Sequence, residues 1–391
     1  MKSIPNRGFN LIEIVLTLAV ATLVFTTVFS FAVSFYVRIQ EAELPMSFFS
    51  YSYGEPYCVL RKSSSGATAS SPLSFSSYIS TSTRVTSVHS LGYNRFIVTT
   101  DSASTSESDI FLFIISTSTA NISLVVSIDT GPGIQDSKIL GNYLYVANTS
   151  VNSHVKSFHI DLFATGTEVF KELSNIRIPS LSAGVSNPKK LSIYNKYLIL
   201  GTEKSNTGPE IFIIPIELDG VVRSVYQTFE LGGQLNQALS TYENLYIANA
   251  ADPELRLVNK TWQEFFSYDA PLTLGNGKSI LYLHPYMILG RTLGSSELSL
   301  LKRNGTTTEV LDTDRTMGTV DYIQNLFDYR FLTITANETK ELQFWHVEGG
   351  QLLFDRSIDI LGRVTAYTCD RNTIYVFVTS NNQTSLIWLN L

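Results

Sequence analysis

The residues able to do chemistry are few and widely spaced. Five histidines (His89, His154, His159, His284 and His346) are the candidate bases and metal ligands, but none stands four residues from another as a helical metal pair requires. His159 and His346 fall inside β-type apolar segments, where a structural role is the simpler expectation. Asp101, Glu107 and Asp109 gather in the stretch DSASTSESD, a carboxylate cluster of the kind that holds Ca²⁺, although its spacing is not that of an EF-hand loop. Cys58 and Cys369 permit one disulfide in an exported chain, with two free or buried thiols as the alternative. No nucleophile elbow, P-loop or dinucleotide fingerprint occurs in a fitting strand–helix context. The expectation from these residues is a chain with no catalytic residue, no metal and no cofactor, hence not an enzyme.

The elements that would carry these residues are β-rich. In 391 residues the charged fraction is 16%, well below the usual quarter, while Phe 23, Tyr 20 and Trp 3 provide ample core material. A formal net charge of −6 argues against nucleic-acid binding, which needs a basic stripe to displace counterions. Two cysteines are too few for a disulfide-framework fold. The six Asn-x-Ser/Thr sequons match what a chain rich in Ser and Thr gives by chance, and imply no glycosylation.

From Thr83 onward the chain repeats. One strand recurs as RFIVTT, YLYVAN, YLILGT, NLYIAN, YMILGR, RFLTIT and TIYVFV, anchored on Phe96, Leu144, Leu198, Leu245, Met287, Phe331 and Ile374. A second follows each (DIFLFII, HVKSFHI, EIFIIPI, ELRLV, ELSLL, ELQFWHV, SLIWLNL), and a third precedes each hairpin turn. The turns carry Gly141-Asn142, Asn195, Asp328 and Asp370, residue types suited to tight β connections. Four short strands per repeat, seven times over, predict a seven-bladed β-propeller with the strand before the hairpin innermost. The WD dipeptide of WD40 repeats is absent. The chain ends after the third strand of the last repeat, so the segment Ser74–Thr83 is predicted to supply its fourth strand and close the ring.

The N-terminus reads differently. Lys2 and Arg7 precede an uncharged, apolar run from Ile14 to Val37, long enough as a helix to cross a bilayer. Glu13 sits at the start of that run, where a carboxylate is costly unless paired. With the short basic leader and the sequence Gly8-Phe9-Asn10-Leu11-Ile12-Glu13, this resembles the type IV prepilin N-terminus shared by type IV pilins and type II secretion pseudopilins. The resemblance covers about 35 residues and implies cleavage after Gly8 by a prepilin peptidase and N-methylation of Phe9. It also implies that Glu13 pairs with a neighbouring subunit's new amine and so fixes register during assembly.

The expected organisation is therefore a leader over 1–8, a hydrophobic transmembrane and assembly α-helix over 9–44 ended by Pro45, a linker over 45–73, and an all-β propeller over 74–391. The expected function is a minor or tip pilin-like subunit whose propeller head engages a surface, glycan or protein. Its partners would be other pilin subunits and the prepilin peptidase, with the cytoplasmic membrane as its location before assembly and the cell surface after. A secretion pseudopilin and a membrane-anchored propeller enzyme are the alternatives. The loops Thr100–Asp109, Asn148–His154 and Thr202–Glu210 are the expected recognition face.

Overall fold

The computed structural model describes residues 57–58 and 69–391, apart from 103, 105, 117–118, 182–186, 205–207, 242–243, 252, 260, 263, 269–275, 293, 305–306, 337–338 and 381–382. These residues form seven β-sheets arranged as the blades of a propeller. The inner strands are Val85–Ser90, Ile134–Leu140, Pro188–Tyr194, Leu235–Ser240, Gly277–Leu283, Val320–Phe327 and Arg363–Arg371, and each lies against the next around the axis from blade 7 through blade 1 to blade 6. Each pairs antiparallel with the strand that follows its hairpin: Arg95–Thr100, Tyr143–Ser150, Tyr197–Thr202, Asn244–Asn249, Tyr286–Arg291, Arg330–Thr335 and Thr373–Ser380.

Position within a blade explains the sequence of each strand. The second strands are buried on both faces because a blade lies on either side, so they read as unbroken apolar runs rather than alternating ones. The outermost strands face solvent; in Asn121–Ile128 only Val126 is fully buried. Hairpin residues adopt the left-handed backbone that tight turns require, with φ of 59° at Gly141, 55° at Asn195 and 54° at Asp328.

Blade 7 closes the ring with strands distant in sequence. Its sheet runs Tyr57–Cys58, Arg363–Arg371, Thr373–Ser380, Gln383–Asn390, Leu73–Ser74 from the axis outwards. Leu73 and Ser74 pair with Leu386 and Ser385, a bridge joins Ala69 to Leu389, and the Phe75 N–H donates to Thr384 C=O (2.9 Å). The closing segment thus lies earlier than the sequence predicts. The Tyr78 and Ile79 N–H groups both donate back to Phe75 C=O (2.9 Å each), so the chain turns just where the β-prone stretch Ser74–Thr83 was expected to run straight. Phe75 is the anchor: it is wholly buried between blades 1 and 7, edge-on to Phe113 (5.0 Å) and tilted against Phe377 (5.0 Å). Residues assigned to a linker are also in the sheet, since Tyr57–Cys58 pairs in parallel with Asp370 and Arg371, beside the inner strand of blade 6.

The fold class is accordingly corrected to all-β. The single helical element among the described residues is the 3₁₀ turn Gly166–Val169, and no helix among them is long and apolar enough to cross a membrane. One turn of four residues cannot do so, because a bilayer core needs about 20. The helix expected over 9–44 lies outside the described residues, as do Gly8, Phe9 and Glu13. Membrane anchoring through that helix, and the location inferred from it, are not carried forward.

Candidate binding site in the central channel

Each inner strand carries the same irregularity. The pairing skips one residue near the strand's start, so a β-bulge leaves Thr86, Gln135, Lys189, Asn236, Lys278, Asp321 and Thr365 without a cross-strand partner. A bulge re-aims the extra side chain, and here all seven line a cavity of about 320 Å³ on the propeller axis. That volume is at the lower end for small-molecule pockets and suits a small ligand.

The loops that lead into the inner strands are held by a second repeated device. At the start of each third strand stands one buried residue: Asp109, Glu210, Glu254, Glu297 and Glu341 just before it in blades 1, 3, 4, 5 and 6, and His154 and Thr384 as its second residue in blades 2 and 7. In five blades this side chain accepts an N–H from the connection to the next inner strand: Thr130 to Asp109 Oδ1 (2.9 Å), Ile178 to His154 Nδ1 (2.9 Å), Leu231 to Glu210 Oε2 (2.7 Å), Thr316 to Glu297 Oε2 (3.0 Å) and Ile360 to Glu341 Oε2 (3.1 Å). The acceptors fix the backbone that delivers Gln135, Lys189, Asn236, Asp321 and Arg363 to the channel. Burial, with Arg177 nearby, lowers the His154 pKa and keeps its Nδ1 an acceptor. Burial pushes the Asp109 carboxyl up to about 7 against the hydrogen bonds from Thr130. Its folded pKa exceeds its unfolded one, so Asp109 contributes most stability below about pH 4 and that contribution fades as pH rises through about 7.

Blade 4 departs from this pattern. Glu254 binds Arg291 of blade 5, with Nε at 3.1 and 3.0 Å from its two oxygens and Nη2 at 2.8 Å from Oε1. Both residues are buried, and Arg291 Nη1 also donates to Ser299 Oγ.

The cavity wall is cationic in a protein of net charge −6. Arg84, Lys138, Lys189, Lys190, Lys278 and Arg363 line it against three carboxylates, Asp136, Glu203 and Asp321. Lys189 pairs with Glu203 (2.9 Å), Arg84 with Asp101 (3.1 Å) and Lys278 with Asp321 (3.9 Å). Burial lowers the Lys278 pKa; Asp321 opposes this, while Lys190, Arg363 and Lys189 add to it. Burial likewise raises the Asp321 pKa, against the pull of Lys278, Arg363 and Lys190. Four cations from blades 3, 5 and 7 therefore act on one small, poorly solvated space. Opposite blade 3, Tyr322 and Tyr367 form an aromatic wall (ring centroids 5.2 Å apart), and Lys190 Nζ lies 5.7 Å from the Tyr322 centroid. His89 Nε2 meets Ser137 Oγ at 2.8 Å, and burial, with Lys138 nearby, pushes the imidazole down to about 4, so it is neutral at physiological pH.

The residues singled out in the sequence go to other places. Asp101 faces Arg84 at the channel rim, Glu107 accepts from Ser102 Oγ (2.9 Å), and Asp109 clamps Thr130, so that carboxylate cluster is dispersed. His159 lies against Tyr143, His284 Nδ1 meets Tyr282 Oη (2.9 Å), and His346 Nδ1 meets Asp355 Oδ1 (2.8 Å). Cys58 and Cys369 form a disulfide, Cα–Cα 5.3 Å, which pins the N-terminal strand to blade 7. The expected recognition loops Thr100–Asp109 and Thr202–Glu210 flank the channel mouth, through Asp101 to Arg84 and Glu203 to Lys189. The channel lysines themselves were not recognised in the sequence. Their one visible sign is the adjacent pair Lys189-Lys190 opening the third repeat.

No protein-family model matches the chain, and no curated protein is similar to it in sequence. Solved structures are similar in fold. Virginiamycin B lyase from Staphylococcus aureus is 10% identical with a TM-score of 0.59, covering 83% of this chain and 100% of its own. A chain of the mitotic checkpoint complex is 11% identical with a TM-score of 0.60, covering 85% and 97%. The periplasmic gluconolactonase of Pseudomonas aeruginosa is 12% identical with a TM-score of 0.57, covering 73% and 92%. At these identities the likeness is one of fold, and it establishes the chain as a seven-bladed β-propeller. Two of these three proteins are enzymes, which overturns the expectation that this chain is not one. The scaffold serves catalysis as well as binding, and a channel holding a neutral histidine is compatible with either.

Proposed function

We propose that the propeller binds a small anionic ligand in its central channel, through Lys189, Lys190, Lys278 and Arg363. The observation that carries this is the convergence of these cations on a 320 Å³ cavity in an acidic protein. Buried like charges cost free energy that an anionic ligand recovers, and a low-dielectric cleft of one sign concentrates ligands of the other. The amides of Gln135, Asn236 and Gln237 and the aromatic wall suit a ligand with polar edges and a flat face, and a sugar phosphate or a polycarboxylate fits that description. The enzyme neighbours make conversion of the ligand part of the test. A thermal-shift screen of the full chain with citrate, inorganic phosphate, glucose 6-phosphate and glucose is expected to show stabilisation by the anions and none by glucose, with NMR following each probe for turnover. The effect should weaken with salt. It should also fade on the alkaline side sooner than an ordinary lysine would dictate, because Lys278 loses its proton below the usual lysine range. Equal stabilisation by glucose, or none by any anion at low salt, would contradict the proposal.

A second reading is carried by the N-terminal sequence, where Gly8, Phe9 and Glu13 match the prepilin-type motif. On this reading the propeller is the head of a pilin-type subunit, processed by a prepilin peptidase and partnered by other pilin subunits, or by a secretion system in the pseudopilin form. Mass spectrometry of the native protein is expected to find an N-terminal peptide that begins at N-methylated Phe9. Recovery of an intact Met1–Gly8 leader would remove this reading.

A further inference from the structure

Of the three carboxylates that line the channel, two are already engaged. Asp136 accepts from Ser87 Oγ (2.8 Å), the Ser137 N–H (3.0 Å) and the Leu191 N–H (2.9 Å). Glu203 takes Lys189 Nζ (2.9 Å) and Asn187 Nδ2 (3.1 Å). Asp321 is different. It is the one carboxylate among the seven side chains that the bulges aim at the axis, and it is 19% exposed. No hydrogen bond reaches its carboxylate from the described residues. Lys278 Nζ, from the neighbouring inner strand, stands 3.9 Å away, an ion pair too long to be a hydrogen bond. Arg363 and Lys190 also act on Asp321 as positive groups. Amide oxygens across the channel are occupied, since Asn236 Oδ1 accepts from Gln234 Nε2 (3.3 Å) and Gln237 Oε1 from the Ile280 N–H (2.8 Å). An ionised carboxylate can only accept. A ligand that fills the cavity displaces water from Asp321, and it must bring a donor of its own or leave those oxygens unpaired beside its negative charge.

We propose that Asp321 and Lys278 together select a hydroxy acid: the ligand's hydroxyl donates to Asp321 while the carboxylate beside it is held by Lys278. Adjacent bulges in blades 5 and 6 set the acceptor and the cation side by side, as a hydroxyl and a carboxylate on one carbon require. This rests on the reading of the channel as an anion site and narrows it to a substrate class. A polycarboxylate without a hydroxyl meets the same cations but sets its charge against an acceptor that it cannot satisfy.

Citrate and tricarballylate, which differ only by the citrate hydroxyl, are the probes. In calorimetric titration of the full chain at low salt, citrate is expected to bind ~10-fold tighter than tricarballylate. Asp321→Ala removes the acceptor and should bring the two affinities together, with tricarballylate gaining most. Lys278→Gln removes the cation and should weaken both anions while the preference for citrate persists. Equal affinities in the unmodified chain would overturn the selection of a hydroxyl while leaving the channel as an anion site, and so would a preference for citrate that survives in Asp321→Ala. If the unmodified chain binds neither anion at low salt, the channel reading falls, and this inference with it.

Discussion

Replacing Glu254 with alanine is expected to cost about 3–5 kcal/mol of folding stability. The reason is what it leaves behind. Arg291 is wholly enclosed between blades 4 and 5, and Glu254 supplies two carboxylate oxygens at 2.8–3.1 Å that balance its charge. Water cannot replace the carboxylate without opening the blade interface, so the variant keeps a desolvated, unmatched charge. Removing the pair together is a different matter. Glu254→Leu with Arg291→Met exchanges two buried charges for apolar groups of similar volume, and should recover most of the loss. Urea unfolding of the singles and the double forms the measurement. A loss below about 1 kcal/mol in Glu254→Ala, within the range of a solvated surface pair, would show that the ion pair is not buried as described.

The second large effect is expected at the disulfide. Cys58 and Cys369 are 311 positions apart, so the bridge closes a loop comprising nearly the whole propeller. On the chain-entropy view long loops gain most, and losing this bridge should cost about 2–5 kcal/mol. The bridge reinforces a weak element, since Tyr57–Cys58 pairs over only two residues. Replacing both cysteines by alanine should therefore lower the urea midpoint and expose the N-terminal strand to proteolysis first. The outer closure at Leu73–Ser74 and Phe75 should hold at the denaturant concentration where that strand is released. Identical midpoints for oxidised and reduced protein would contradict this.

Much of the scaffold was legible in the sequence because its strands are repeated and buried on both faces. Each of the seven segments anchored on Phe96, Leu144, Leu198, Leu245, Met287, Phe331 and Ile374 is a second strand of a blade. The closing strand was misplaced because β-propensity cannot register a turn dictated by the burial of Phe75. Four of the loop clamps were visible as the acid that opens DIFLF, EIFII, ELSLL and ELQFW, but without pairing partners the first of them read as a loop carboxylate. The channel was the least legible part. Lys189, Lys278 and Arg363 lie far apart along the chain and meet only because three different inner strands converge on one axis, two of them through the bulges at Lys189 and Lys278, a convergence that no local spacing records.

The most direct test is a calorimetric titration of the full chain with citrate at low salt, set beside a variant in which Lys189, Lys190 and Lys278 are all glutamine. If the channel is an anion site, the unmodified protein binds one citrate with an affinity that falls as salt is raised, and the variant loses at least ~10-fold while still folding. Equal affinity in the two proteins, or binding indifferent to salt, would mean that the cations at the propeller axis do not constitute the binding site.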